Sequence, residues 1–555
     1  MFKRTLGRII TTTGIRLVVK GVGGGFFFLP FALFYINVIR YSVDVPVHDD
    51  YGIFLGLIQS WLKPGSLIER FSLIFAQHNE HRVAFARLVT LVEYYLTGKV
   101  NFSVLTTFGT IGWGLVVALI CYVLVKQYSL SFVEILPIPY VLFVFTQFNN
   151  MFMATTAITF YWSILFSFLM FLSLTEKKIF LACLLFPFAL FTSGNGVLLF
   201  PVGVFYLILQ KRWRDLIIFG ISCLVFMLLY FIHYQIAQGL TLAAILHNLG
   251  TLVCFPIAFL GNIWPSVNIS LILGTVVSMV LLYCVIFRRR NQYLFLASLW
   301  LLGTAALVAL TRSSFGLDEA ISSRYAQYSL LAVILGYAWC LNTLRENPSK
   351  AFSPNLLTAL GFLLSVTLFI LMVYKYESIG YFTKIEQDKI AGMSTFARNG
   401  DDTRLTIPDQ FKETAQEALV AARELGFYDY TRILQVEYPA LSVPHADSGG
   451  TYLGNVETYD GSHINGWAVI PNLESEKSKI YILLQNQIRT LELQPISVKR
   501  TDVSYVYNTA LYKYSGYEAY LAAFSIPPGS YTIGILVENG EQQMLHWTQY
   551  VFTTP

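Results

Sequence analysis

Charge is scarce in this 555-residue chain. Asp, Glu, Lys and Arg make up 13% of it, against about 25% in ordinary soluble domains. That shortage excludes a wholly water-soluble fold, because a large share of the surface must avoid water in another way. The net charge of +5 is small for the length, and the basic residues sit in short clusters, so nucleic acid is not an expected partner. Cysteine is also sparse. Cys121, Cys183, Cys223, Cys254, Cys284 and Cys340 all fall in apolar segments and none in the tail, which argues against a disulfide framework or a zinc site. Neither a Walker sequence nor HExxH occurs, so nucleotide-driven chemistry and zinc peptidase chemistry are not expected.

Long apolar runs are what the chain has instead. A membrane span needs about 20 such residues, and runs of that kind recur from Gly21 to about Lys375. About eleven spans are read near 21–42, 104–125, 133–149, 152–174, 179–193, 196–210, 215–236, 268–287, 292–311, 325–344 and 355–374. The first follows a basic segment (Lys3, Arg4, Arg8, Arg16, Lys20) and is long enough to remain as an anchor. Placing the N-terminus in the cytoplasm puts Lys126, Lys177, Lys178, Lys211, Arg212, Arg214, Arg288, Arg289, Arg290, Arg345 and Lys350 on that side, as the positive-inside rule requires. The connections 43–103, 149–151, 193–195, 237–267 and 312–324, and everything after 374, then lie outside. Segment 82–97, apolar on one side, reads as an amphipathic helix on the membrane or a buried helix.

The expected fold is therefore an α-helical polytopic membrane protein with a C-terminal extracytoplasmic β-sandwich. Three regions are expected: a transmembrane domain over 1–374, a mostly helical linker over 375–440 and a sandwich over 441–555. The last rests on short β-branched and aromatic runs punctuated by turn residues, at Ile464–Ile470, Lys479–Leu484, Ser504–Tyr507, Tyr517–Ser525 and Tyr531–Glu538.

Four polar stretches stand out at outer span ends. His48-Asp49-Asp50-Tyr51 follows the first span. Adjacent carboxylates beside an apolar boundary are costly unless paired or used; one could act as a general base, the other orient a ligand or hold a cation, and a solvated loop cap is the alternative. Gln77-His78-Asn79-Glu80-His81-Arg82 is dense in hydrogen-bonding groups. On a helix, His78 would share a face with Arg82, and Gln77 with His81. It reads as a site lining, against a polar cap or, with less weight, a metal site. Thr192-Ser193-Gly194-Asn195-Gly196 suggests a tight turn or a broken helix lining a cavity. Arg324, in Ser322-Ser323-Arg324-Tyr325, sits where the positive-inside rule disfavours it; with Arg312 it could clamp a phosphate, or it could snorkel at a lipid interface. Asn149 and Asn150 read as structural; Asp318 and Glu319 read as solvated loop charges, with membership of the site as the alternative.

Taken in order, these stretches resemble the GT-C superfamily of integral-membrane glycosyltransferases, and more narrowly bacterial O-antigen-modifying glucosyltransferases of the serotype-conversion type. The acidic motif after the first span matches His48 to Tyr51, and Gln77 to Arg82 with Arg87 resembles an "HNEHR…R" signature. Ser193 to Gly196 and Ser323 to Tyr325 are similar to later motifs, over roughly residues 20–380. The tail, with Ile464-Asn465-Gly466-Trp467-Ala468, looks like a sandwich appended to some bacterial glycosyltransferases.

The resemblance implies inverting transfer of a sugar, a hexose such as glucose, from a polyprenyl-phosphate donor. The implied acceptor is a glycan such as lipid-linked O-antigen at the outer face of the bacterial inner membrane. It implies Asp49 or Asp50 as base, and Arg324 for the leaving phosphate, with Arg82 or Arg312 assisting. Substrate contacts would come from His48, Tyr51, His78, Asn79, Glu80, His81, Asn195 and Tyr325. No cofactor is required; a divalent cation at Asp49 and Asp50 is compatible. A donor synthase and a flippase would act alongside. An O-antigen polymerase or ligase is the alternative enzyme, and a lipid-linked glycan transporter the alternative of another class.

Overall fold

The computed structural model describes residues 23–235, 249–287, 289–346, 353–378, 380–400, 402–431, 435–439, 453–521, 524, 526–540 and 542–554. The chain divides into two compact units, Met1–Gln387 and Asp388–Pro555. The expected helical linker is helical, with Tyr381–Asn399 and Lys412–Glu424, but it does not form a unit of its own. Its first residues belong with the helical unit and the rest with the sheets.

Eight described helices are long and apolar enough to cross a membrane: Gly23–Tyr41, Phe102–Tyr128, Phe132–Phe152, Ala154–Thr175, Trp213–Phe231, Val267–Phe287, Gln292–Phe315 and Pro354–Ser378. A helix satisfies every backbone group within the segment, as a run suited to lipid requires. Of the remaining expected spans, 179–193 and 196–210 are the short helices Ile179–Leu190 and Gly194–Leu209. At about 1.5 Å per residue, twelve residues reach only about 18 Å. The expected span 325–344 is the helix Ala326–Glu346, which carries Gln327, Tyr328, Ser329 and Trp339 in buried positions. A helix walled in by protein needs no lipid-compatible surface, so its sequence is less apolar.

The described part of the connection 237–267 contains the apolar helix Leu249–Leu260, which runs antiparallel against Val267–Phe287. A Cβ on Gly274 would fall 1.8 Å from the carbonyl oxygen of Ile257, and one on Gly261 would fall 1.9 Å from that of Ser270. Only glycine allows the two backbones to approach so closely.

Segment 82–97 is helical, as Ala84–Thr97. It buries Ala86, Arg87, Thr90 and Glu93 and exposes Leu88, Val92, Tyr95 and Leu96. With Leu67, Ile68 and Phe71 of the helix Leu67–Phe75 also exposed, this region turns an apolar surface outward.

The second unit carries two antiparallel sheets. One orders Gln542–Thr554, Gly529–Asn539, Lys479–Gln485, Arg489–Leu493 and Gln435–Pro439; the other orders Leu453–Tyr459, His463–Val469, Gly516–Tyr520 and Ile496–Val498. Alternate residues from both sheets, among them Ile464, Ile482, Leu491, Tyr517 and Ile535, share one buried cluster. The expected strand Ser504–Tyr507 is instead the end of a short helix, Thr501–Val506. Val503 anchors that turn in a satellite cluster with Val469 and Tyr512, and this packing overrides the β propensity of the run.

Candidate functional site

The acidic turn is built at the end of the helix Gly23–Tyr41. Asp44 closes the chain onto the next long helix, accepting the Phe102 N–H at 2.7 Å. His48 then takes a left-handed φ of 49°, just before the two carboxylates. Asp50 is 1% exposed. Its Oδ2 accepts the Val47 N–H at 3.1 Å, and its Oδ1 accepts both the backbone N–H and the hydroxyl of Thr155, at 2.9 and 2.5 Å. Thr155 lies in the first turn of Ala154–Thr175, where N–H groups lack helical partners and the helix dipole favours an anion. Asp50 therefore holds the turn to that helix.

Asp49 is the accessible partner, with its side chain 45% exposed and Oδ1 at 3.3 Å from His78 Nε2. Burial works to raise its pKa, but the His78 imidazole, with His48 and Arg324, holds the carboxyl below the usual range. Tyr51 is buried at the start of the following π-helical turn and does not line the cavity described below.

The stretch 77–82 is not helical. It is a two-stranded hairpin pairing Gln77 with Arg82 and His78 with His81, with Asn79 at a left-handed φ of 48° in the two-residue turn. Asn tolerates that conformation, which two-residue hairpin turns demand. The faces expected from helical spacing therefore do not exist; His78 and His81 are cross-strand partners. The hairpin is clamped to the end of Trp213–Phe231. Gln77 donates to the Gln235 carbonyl and accepts the Gln235 N–H, while Tyr234 donates its hydroxyl to the Glu80 carbonyl.

Arg82 donates to the carbonyls of Tyr230, Phe75 and Ile232. Arg87 donates to those of Ile74 and Ala76. Both arginines satisfy carbonyls that helices leave open at their C-termini. Arg82 was expected to assist at a phosphate; its guanidinium is committed to backbone instead.

The other motifs gather around a cavity of about 260 Å³. Gly194 lies directly against His81: a Cβ there would fall 2.4 Å from the imidazole Nδ1. Glu80 pairs with Arg312 at 2.7 Å. The Asn195 amide donates to the Tyr328 hydroxyl at 2.8 Å and accepts from Ser163 at 3.1 Å. Glu80, His81, Asn195, Arg312 and Tyr325 all line the space. Burial, with Arg312 and His78, lowers the His81 pKa against the opposing pull of Glu80, which favours a neutral imidazole. His81 Nδ1 and the hydroxyls of Tyr230 and Thr304, all on lining residues, are buried without a partner among the described residues. Buried polar groups are normally satisfied, so this wall has hydrogen-bonding capacity in reserve for a polar ligand.

Arg324 does not line that cavity, but the turn that carries it does, through Tyr325. Its guanidinium pairs with Glu319 and lies over the Tyr325 ring at 5.1 Å, and its Nε is buried without an acceptor among the described residues. Glu319 is thus its counterion. Asn150 and Asn149 fix the turn: the Asn150 amide donates to the Arg324 carbonyl and to Gln327, and the Asn149 N–H donates to the Ser323 hydroxyl.

Thr155, Tyr230, Tyr234, Thr304 and Tyr328 escaped the sequence reading. Each sits in or beside an apolar helix, where a single hydroxyl gives no pattern. Among the described residues no three His, Cys, Asp or Glu side chains gather as a metal site. No family model, curated protein or solved structure matches the chain.

Proposed function

We propose that this protein is a GT-C-like glycosyltransferase that moves a hexose from a polyprenyl-phosphate donor to a glycan acceptor such as lipid-linked O-antigen. In this reading about eleven segments cross or enter a bacterial inner membrane. The N-terminus is cytoplasmic, and the second unit is an extracytoplasmic β-sandwich. The observation that carries the proposal is convergence. Glu80, His81, Gly194, Asn195, Arg312 and Tyr325, from stretches far apart in the chain, line one cavity whose polar atoms include several without a partner among the described residues; Asp49 adjoins it through His78, and Arg324 through Tyr325.

The contacts support the following roles. Asp49, ionised and half-exposed, takes the proton of the acceptor hydroxyl. The freed oxygen attacks the anomeric carbon, the bond from that carbon to the phosphate oxygen breaks, and polyprenyl phosphate leaves with the electron pair. Arg312 and Arg324 hold that phosphate, as guanidinium groups suit its geometry. His81, Asn195, Tyr230, Thr304 and Tyr325 border the sugar. The donor would come from a separate synthase and flippase. The deciding experiment uses the full-length protein in liposomes with a polyprenyl-phosphate hexose and a lipid-linked glycan. Transfer by the wild type and its loss in Asp49→Asn support the reading, and transfer undiminished in that variant overturns it.

A further inference from the structure

A second cavity, of about 230 Å³, lies beside the same turn. It is lined by Thr146, Asn262, Ser323, Lys375, Tyr376 and Tyr381, among others. Ser323 borders this space, and Tyr325, two residues on, borders the first. The turn Ser323–Tyr325 is therefore a shared wall, with Arg324 at its centre.

Lys375 sits at the last turn of Pro354–Ser378, where the helix widens into a π-helical turn, Tyr374–Ser378; such turns recur at functional sites. Its ammonium lies 5.5 Å from the Trp264 ring and 5.3 Å from the Tyr376 ring. Two aromatic faces orient a cation without neutralising it. No carboxylate of the described residues lies within ion-pair distance of Lys375. The second observation is Thr146. It is 5% exposed, lines the cavity, and its hydroxyl is buried without a partner among the described residues. The cavity thus presents a cation and a Thr146 hydroxyl, both without a partner of their kind among the described residues, together with the Ser323 hydroxyl and aromatic walls.

We propose that the Lys375 cavity is a second anion site, one that takes the phosphate or diphosphate of a lipid-linked molecule. A compact ammonium with hydroxyl donors suits phosphate oxygens, and the aromatic walls suit an attached apolar chain or sugar. Two phosphate sites flanking one turn suit a reaction between two lipid-linked partners. Assigning this one to the acceptor rests on the transfer proposed above; the phosphate site itself does not.

The test is titration calorimetry on full-length protein in detergent, in an Arg312→Ala/Arg324→Ala background so that the first cavity does not report. Farnesyl diphosphate, inorganic pyrophosphate and farnesol are the probes. Saturable binding of farnesyl diphosphate is expected, weakened about tenfold or more by Lys375→Gln, retained in Lys375→Arg and weakened several-fold by Thr146→Val. Inorganic pyrophosphate binding as tightly as farnesyl diphosphate would support the anion site but make its ligand a soluble phosphate. Farnesol binding equally well, or affinity unchanged in Lys375→Gln with an unaltered melting temperature, overturns the site. Should the double-arginine background not fold, the same variants in the wild-type chain, compared by the number of diphosphates bound, decide it. None of these outcomes depends on whether Asp49→Asn abolishes transfer.

Discussion

Asp50 and Thr155, 105 positions apart, are joined by two hydrogen bonds to one carboxylate oxygen, at 2.9 Å from the Thr155 N–H and 2.5 Å from its hydroxyl. This bond separates two neighbouring carboxylates that sequence cannot distinguish. Asp50 becomes a buried anchor, and Asp49 remains open toward His78.

The two aspartates should therefore fail differently. Asp49→Asn should leave the melting temperature in detergent near that of the wild type and lower transfer by about 10²-fold or more, the range of a lost general base. Asp50→Asn turns an amide donor toward donors and should cost about 1–3 kcal/mol of stability. Equal melting temperatures and equal transfer in the two variants would contradict the division of roles.

Gly194→Ala places a methyl 2.4 Å from His81 Nδ1. Transfer should drop because the imidazole must move. If the clash is the cause, adding His81→Ala should cost less in the double variant than the two single changes summed. Additive losses would mean that Gly194 acts through its own turn.

The arginines also divide. Arg82→Ala should destabilise the hairpin, because three carbonyls lose a charged donor worth about 1.5–3 kcal/mol each. Limited proteolysis between the helices Leu67–Phe75 and Ala84–Thr97 would report it. Arg324→Ala should fold normally and raise the apparent KM for donor more than for acceptor. A larger rise for acceptor would remove the phosphate role.

Glu93, 8% exposed, lies on the helix Ala84–Thr97. Burial pushes its carboxyl up to about 8, against the hydrogen bond from the Asn101 N–H and with help from Asp44. A folded value above the unfolded one means that the protonated form stabilises the fold. That contribution is fully present below about pH 4 and is lost as pH rises through about 8, at up to about 1.4 kcal/mol per unit. The melting temperature of Glu93→Gln minus that of the wild type should therefore grow from pH 5 to pH 8. A flat difference would place an ionised Glu93 in the fold.

The sequence by itself determined which segments avoid water, because apolar runs such as Phe102–Tyr128 and Val267–Phe287 can satisfy their backbone in lipid only as helices. It also marked the polar stretches, since Asp49, His78–Arg82 and Arg324 stand out beside long apolar runs, where such groups are costly unless paired or used. It could not assign their roles. Helical spacing put His78 with Arg82, whereas the Asn79 turn makes them part of a hairpin. The helix Ala326–Glu346 and the crossing of Gly261 on Gly274 depend on neighbours far along the chain. Hydrogen bonds decided the rest. Asp50 is held by Thr155 and Arg82 by three helix-end carbonyls, whereas Asp49 stays accessible beside His78. Only the folded chain brings those partners within reach, so only the tertiary structure separates the groups that hold the fold from those left open to a ligand.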